Sequence, residues 1–500
     1  MILWPLILIL CYCIFRYRRR RLYKHASKVI KHQWDLPFIG VSWVYVGSTE
    51  KILKEMQDYS KFTSENGGIS VSWMGPKLFY TITDPAIAEV VLKNNLEKDD
   101  LMRIVHELLG DASIVASVSN WKPRRKISVR AFSPKILSKF VKIFAENSAT
   151  LAKELDKKAG TGNFKIWPQI NAYALDAILE SSMGVQINAQ LHNNNELQTA
   201  VNTTLQMLSE RTFRVWYWPD WIYKHTSHFA KLQSHIKIIH DFTNEVIRKK
   251  RLLHQVQAKF TDQEELEYNN SLNFLDLLMS LSSGEKAYTD VELREEVLTF
   301  VLAGMDTSAV AIGFFLKLMG KYPAVQQKVY NELQEVFGDS DRILEKEDLP
   351  KLQYLERAIK ETLRLYCSVP FILRRADTDI LLPDGTTIPE SSSVVISILG
   401  MHRSAKNWGT DADCFDPDRF LPDRIKDIHP TAYIPFSFGP RNCVGYQYAM
   451  MSIKTASSTI LRRHKVVGIP EPTSKPNIKL KYDIMLKDVD GYEIALERRQ

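Results

Sequence analysis

Two long apolar runs stand out from the mixed pattern of this chain. The first is Met1–Phe15, followed at once by Arg16, Arg18, Arg19, Arg20, Arg21 and Lys24. The second is Val297–Leu316, apolar except for Asp306. From Asp84 to about Leu365 apolar residues recur at helical spacing. Short alternating runs flanked by turn residues predict strands at Ile69–Trp73 and Phe79–Ile82, with Gly75-Pro76-Lys77 between them. A second β region is predicted at Ile380–Ile398, where Pro383-Asp384-Gly385 marks a turn, and a last hairpin near Ile484–Leu496, turning at Asp490-Gly491. The polar stretch Asp262–Ser271 reads as an exposed loop. No internal repeat is visible, and no linker splits the chain after the first run. The fold class expected is mainly α with small β-sheets (α+β).

A spanning helix usually takes about 20 apolar residues, so the first run is short. Tyr17 and the long basic stems can snorkel to complete it. Its positive charge follows the apolar stretch and no small-residue cleavage site ends it, which favours an uncleaved anchor over a cleaved signal peptide. The expected organisation is a transmembrane signal anchor at 1–15, a basic linker at 16–35 and one catalytic domain at 36–500. Charge asymmetry places that domain in the cytosol. The net charge is +8, part of it from the arginine cluster. No basic patch interleaved with aromatics occurs, so nucleic acid is not an expected partner. The five cysteines are Cys11, Cys13, Cys367, Cys414 and Cys443, with no CxxC pair. That pattern argues against a disulfide framework or a zinc site.

Thr289-Asp290-Val291-Glu292 is a capping box. The helix it starts is expected to reach Gly320 as its C′ residue, with Pro323 beyond. That length is about 30 residues, or ~45 Å. A charge at mid-bilayer costs about 2.5–3.5 kcal/mol, so Asp306 favours a buried core helix over a second membrane span. Gly304 permits a local widening of the helix. Asp306 beside the Thr307 hydroxyl can shuttle protons to a ligand lying there.

The remaining chemistry centres on Phe436-Ser437-Phe438-Gly439-Pro440-Arg441-Asn442-Cys443-Val444-Gly445. A lone thiolate on a loop feeding a helix can ligate a soft metal centre axially, haem iron being the familiar case. Gly439 and Gly445 let the backbone approach a flat macrocycle. The helix dipole and Arg441 favour ionised sulfur. An isolated cysteine is more often a buried structural thiol; the surrounding pattern decides here.

That pattern, Phe-x-x-Gly-x-Arg-x-Cys-x-Gly, resembles the haem-binding loop of the cytochrome P450 haem-thiolate monooxygenases, with all five fixed positions present. The resemblance runs from about Leu36 to the C-terminus. It implies that Cys443 is the proximal iron ligand and that Phe436, Gly439, Arg441 and Gly445 shape the haem site, with Arg441 on a propionate. Ala303-Gly304-Met305-Asp306-Thr307-Ser308 is similar to the family's distal block. This implies that Thr307 holds water and oxygen in place while Asp306 relays protons for O–O cleavage. Trp121 and Arg125 repeat a Trp-x-x-x-Arg helix, and Arg374 sits where a strand arginine meets a propionate. Glu361, Arg364 and Arg419 match a buried structural triad.

Met401-His402-Arg403 and Met183-Gly184-Val185 resemble the fatty-acid ω-hydroxylase-related branch, especially its insect members. That branch often carries Glu where this chain has Ala303, and the Glu can esterify the haem. Here the expected cofactor is therefore non-covalent haem b. Two other departures are Cys367, where relatives have proline, and the single proline, Pro37, after the anchor.

The implied activity inserts one atom of O2 into an apolar substrate: a fatty acid, hydrocarbon, hormone, odorant or xenobiotic. No G-x-G-x-x-G motif in strand–helix context is present. Electrons from NADPH are therefore expected through a separate NADPH–cytochrome P450 reductase, with cytochrome b5 as a further partner. The expected location is the endoplasmic reticulum membrane. Two rival readings are a haem-thiolate isomerase or dehydratase acting on lipid peroxides, and a non-catalytic haem protein that binds small ligands. Asp306-Thr307 argues against both. Substrate contacts are expected near Leu101–Val118, Asn202–Phe213, Val369–Leu373 and Lys487–Asp490.

Overall fold

The second apolar run forms the spine of the molecule. In the computed structural model, which describes residues 3–32, 34–192, 196–257, 273–281 and 288–499, it lies within one helix, Asp290–Lys321. The capping box forms as expected: Glu292 N donates to Thr289 Oγ1 and Thr289 N to Glu292 Oε2. The helix packs against Trp167–Met183, Gln353–Leu365 and Tyr446–Arg463. From Glu296 to Leu316 every position is buried except Ala303, Gly304 and Thr307. It is long and apolar enough to cross a membrane, yet most of its apolar stretch is buried by protein. A helix apolar all round is thereby a core helix. It also runs through Gly320 rather than ending there. A Cβ at Gly320 would meet the Gly468 backbone at 3.3 Å, so this glycine serves a close crossing and not a cap.

The strands are β1 Ile69–Met74, β2 Lys77–Ile82, β3 Phe164–Lys165, β4 Phe371–Arg375, β5 Ile380–Leu381, β6 Thr387–Ile388, β7 Ser393–Ser397, β8 His464–Val467, β9 Leu480–Asp483, β10 Met485–Asp488 and β11 Glu493–Arg498. The largest sheet has the order β1-β2-β7-β4, with β2 and β7 parallel and the other pairs antiparallel. It carries Arg374 on β4. The hairpin expected at Asp490-Gly491 does not form. Instead β9 and β10 pair across a turn at Ile484, and β11 leaves to pair with β8 and β3. Ile484 takes φ 63, a region that β-branched residues rarely adopt. No turn residue announces it, because a tertiary contact imposes it: Ile484 N donates to Ser209 Oγ at 3.2 Å.

The Glu361, Arg364, Arg419 triad assembles in the core. Arg364 donates Nε and Nη2 to the two Glu361 oxygens at 2.7 and 2.8 Å. Its remaining donors reach the carbonyls of His402, Ala412 and Cys414. Arg419 Nε approaches Glu361 Oε1 to 3.4 Å as an ion pair without hydrogen-bond alignment. His402 extends this network toward the cysteine loop. Its Nδ1 faces Arg364 O at 3.1 Å, and its Nε2 accepts from Ile434 N at 2.9 Å. The predicted loop Asp262–Ser271 falls outside the described residues. At the other end, Leu3–Arg18 is a helix of 16 residues, followed by Arg20–Ala26. It is about 24 Å long at helical rise, short of a ~30 Å hydrocarbon layer.

Candidate functional site

Cys443 lies in a loop closed on itself. Cys443 N donates to Phe436 O at 2.9 Å, and Asn442 N to Gly439 O at 3.0 Å. Gly439 takes φ 76, and a Cβ there would come within 2.4 Å of Leu92 O. The close approach that requires this glycine is thus to protein backbone. At Gly445, the N-cap of helix Tyr446–Arg463, a Cβ would lie 3.6 Å from Phe132 and 3.9 Å from Cys443 Sγ, so this glycine flanks the sulfur. The Phe436 ring meets Tyr446 edge-on at 4.8 Å. Arg125 clamps the loop from the helix Val118–Ala131, donating Nη1 to Asn442 O at 3.0 Å and Nη2 to Asn442 Oδ1 at 2.7 Å.

The Cys443 side chain is accessible, yet burial is the largest influence on its thiol. Burial pushes the thiol up; the Gly445 N–H and the Arg125 charge pull it down without reversing the shift. The expectation that Arg441 favours ionised sulfur is corrected: the cation acting here is Arg125, because Arg441 is turned elsewhere. A bound metal ion would itself supply the deprotonation, as it does for coordinating thiols.

Arg441 and Arg374 form a buried cationic wall, with 7% and 1% of their surface exposed. The Arg441 guanidinium sits 4.3 Å from the Trp121 ring centroid and donates to Ser113 O and Ala116 O. Arg374 Nη1 donates to the neighbouring Leu373 O. The Nε of each arginine has no partner. Burial pushes both down to about 10, and for Arg441 the charge of Arg374 adds to it. Lys98, absent from the residues singled out in sequence, joins them. Its ammonium is pushed well down, first by burial and then by Arg374 and Arg441. Glu97 is the carboxylate whose charge acts on Arg441. Buried cations short of acceptors are costly. Two further carboxylates would relieve them, and bidentate recognition suits guanidinium. A thiol at the cavity wall, with Arg374, Arg441 and Lys98 short of counter-charge, fits an iron macrocycle bearing two propionates.

Between Glu296 and Leu316 only Ala303, Gly304 and Thr307 are not fully buried; Ala303 and Thr307, at i and i+4, share one face. Thr307 Oγ1 donates to Ala303 O at 2.6 Å, and Ser368 Oγ donates to Thr307 O at 2.8 Å. The expected widening at Gly304 does not occur; the helix is continuous. A Cβ at Gly304 would come within 2.7 Å of Ile178 Cδ1, so the glycine admits the neighbouring helix Trp167–Met183. Asp306 is fully buried and points elsewhere. Lys487 Nζ lies 3.0 Å from its Oδ1, yet neither carboxylate oxygen accepts an aligned hydrogen bond. Lys487 and Asp488 are thus core ion-pair partners, Asp488 with Lys317 at 2.6 Å. The expectation that Lys487 and Asp488 meet substrate is corrected on that ground. An acid alone in an apolar helix signals that a counter-charge exists; nothing local says it is Lys487.

The comparisons bear on this site. A sequence model of the family described as Cytochrome P450 matches residues 34–492. Cytochrome P450 4c21 of Blattella germanica is 34% identical over 431 residues, 85% of each chain. Cytochrome P450 4d2 of Drosophila melanogaster is 33% identical over 497 residues, 97% of this chain and 96% of its own. Cytochrome P450 4V2 of Homo sapiens is 34% identical over 433 residues, 85% of this chain and 82% of its own.

Proposed function

Because this chain belongs to the cytochrome P450 family and is a haem-thiolate monooxygenase, we propose that Cys443 is its iron ligand and that Arg374, Arg441 and Lys98 receive the haem carboxylates. The observation that carries this reading is the buried cationic wall beside an accessible thiol. When bound, the haem supplies the oxygen and one-electron chemistry. The chain's own residues do the rest. Trp121 holds the Arg441 guanidinium flat, and Arg125 fixes the loop through Asn442. Phe436, Gly439 and Gly445 shape that loop. Ala303 offers an apolar methyl on the same helix face as Thr307. Thr307 places a hydroxyl on the same face, where it can orient water and pass a proton. Asp306, one residue earlier, is the acid that resupplies it.

The substrate class proposed is apolar: a fatty acid, hydrocarbon, hormone, odorant or xenobiotic. Electrons come from NADPH through a separate NADPH–cytochrome P450 reductase, with cytochrome b5 as a second donor. The run at 1–15 anchors the chain in the endoplasmic reticulum membrane, with the catalytic domain in the cytosol. The test is NADPH consumption and oxygenated product from the reductase-reconstituted protein across a panel of apolar compounds. Product that requires both NADPH and O2 supports the reading. Rearrangement of lipid peroxides without either would replace it.

A further inference from the structure

One short hairpin meets Asp306 directly and is linked to Thr307 through Ser368. Lys487 on β10 meets Asp306 at 3.0 Å. Its neighbour Leu486 donates its N–H to Ser368 O at 2.9 Å, and Ser368 Oγ donates to Thr307 O at 2.8 Å. Asp488, next along, pairs with Lys317 at 2.6 Å and accepts from Tyr492 N at 2.7 Å. Lys487 and Asp488 therefore pair directly with the central helix, at Asp306 and Lys317, and Leu486 is tied to Thr307 through Ser368.

The Lys487 site is built. Its ammonium lies 4.8 Å from the Trp167 ring centroid, and its side chain is 11% exposed against none for Asp306. Placed so, it holds the carboxylate by charge, without an aligned hydrogen bond. The far end of the hairpin is seated on the helix Glu196–Phe213. Ser209 Oγ donates to Tyr482 O and accepts from Ile484 N, both at 3.2 Å, and the Phe213 ring meets Tyr482 edge-on. A two-stranded sheet is marginal by itself. The positive φ at Ile484 persists because its surroundings hold it.

We propose that the β9–β10 hairpin sets the geometry of the Asp306–Thr307 pair, with Lys487 as the positioning residue for the Asp306 carboxylate. This rests on the proposed roles of Asp306 and Thr307. The restraint keeps the carboxylate in place between turnovers. Without it the carboxylate is a buried polar group lacking a partner, which favours a different rotamer.

The experiment uses the haem-loaded full chain with reductase and a confirmed substrate. Lys487→Met, Lys487→Arg, Asp306→Asn and the Asp306→Asn/Lys487→Met pair are compared. Lys487→Met should slow product formation per haem by about tenfold or more, as loss of positioned proton transfer does. The double variant should be no slower than Asp306→Asn alone, and Lys487→Arg should recover most of the rate. Urea unfolding of the same four proteins supplies a readout independent of turnover. The two single changes should be non-additive, since the residues are in contact. A Lys487→Met protein that loses stability but keeps the wild-type rate would overturn the proposal, as would rate effects that multiply in the double variant. Should Lys487→Met not fold, Ser209→Ala decides. It should slow product formation about twofold with an unchanged CO spectrum, and an unchanged rate would overturn the proposal. If Asp306→Asn and Thr307→Ala both leave turnover untouched, the relay itself fails, a different result from failure of the positioning.

Discussion

The cysteine loop and the central helix, the two halves of the proposed site, are built in opposite ways. On the cysteine side, ten consecutive residues carry the loop; Cys443 N closes it onto Phe436 O, Arg125 holds Asn442, and Leu92 lies close against Gly439. On the central-helix side, Asp306 and Thr307 are adjacent but face different ways, and each depends on a residue distant in sequence, Lys487 and Ser368. A fixed ligand needs a rigid loop, and local sequence can encode one. The proposed proton-moving pair needs its carboxylate placed, and on this proposal a separate hairpin does so. Changes on the cysteine side should therefore abolish the site, and changes on the helix side should detune it.

The largest expected effect is Cys443→Ser. The reduced, CO-bound protein should lose the red-shifted Soret band of thiolate haem, while serine at each of the other four cysteines keeps it. Retention of that band in Cys443→Ser would remove the proximal assignment. Acid extraction offers a second all-or-none check. With Ala303 lacking a carboxylate, the haem should leave the polypeptide completely, and haem remaining on denatured protein would contradict non-covalent binding.

On the helix side, Thr307→Ala should still bind haem and substrate and still consume NADPH, but divert much of the reducing power to hydrogen peroxide. Asp306→Asn should instead slow turnover, by about 10²–10⁴-fold if its proton transfer is typical of a positioned group. Neither should move the CO spectrum. Product formed per NADPH consumed, against wild type, measures both, and equal ratios and rates throughout would make this pair ordinary helix core.

Arg374→Ala probes the cationic wall. A buried guanidinium short of acceptors should be worth about ten- to a hundredfold in haem retention, the range seen for groups that support a bound metal. Transfer of haem to a scavenging apoprotein reads this directly. Arg125→Ala should instead perturb the CO band through the Cys443 loop, because its bonds go to Asn442.

Much of this was legible in sequence because it is local. The capping box, the β1–β2 hairpin and the ten-residue cysteine loop each lie within a short stretch, and periodicity found the central helix. What escaped was tertiary. Ile484 turns without glycine because Ser209 holds its N–H. Gly304 and Gly320 read as a widening and a cap, but are spaces for Ile178 and Gly468. Lys98 and Lys487 look like any surface lysine until the fold encloses them. The reading that Arg441 favours ionised sulfur failed for the same reason: two residues of separation from Cys443 says nothing about which way a long side chain turns.

The smallest effect sharpens the comparison by joining its two sides to the core. His402 is wholly buried, with Arg364 and Arg403 as the nearest charges and the Tyr433 ring stacked on it. Burial pushes its imidazole down to about 3, with the Arg364 charge adding to the effect. Its Nε2 must stay unprotonated to accept from Ile434 N, two residues before Phe436. An unfolded histidine titrates near pH 6.5. Between that pH and about 3 the unfolded chain therefore binds the extra proton. Stability is full above pH 6.5 and falls as pH drops, by about 1 kcal/mol between pH 7 and 5.5. Urea unfolding across that range should show this loss in wild type and a shallower one in His402→Gln, which is less stable at pH 7 but has no imidazole to charge. Equal slopes in the two proteins would mean that acid acts on the cysteine loop through some other group.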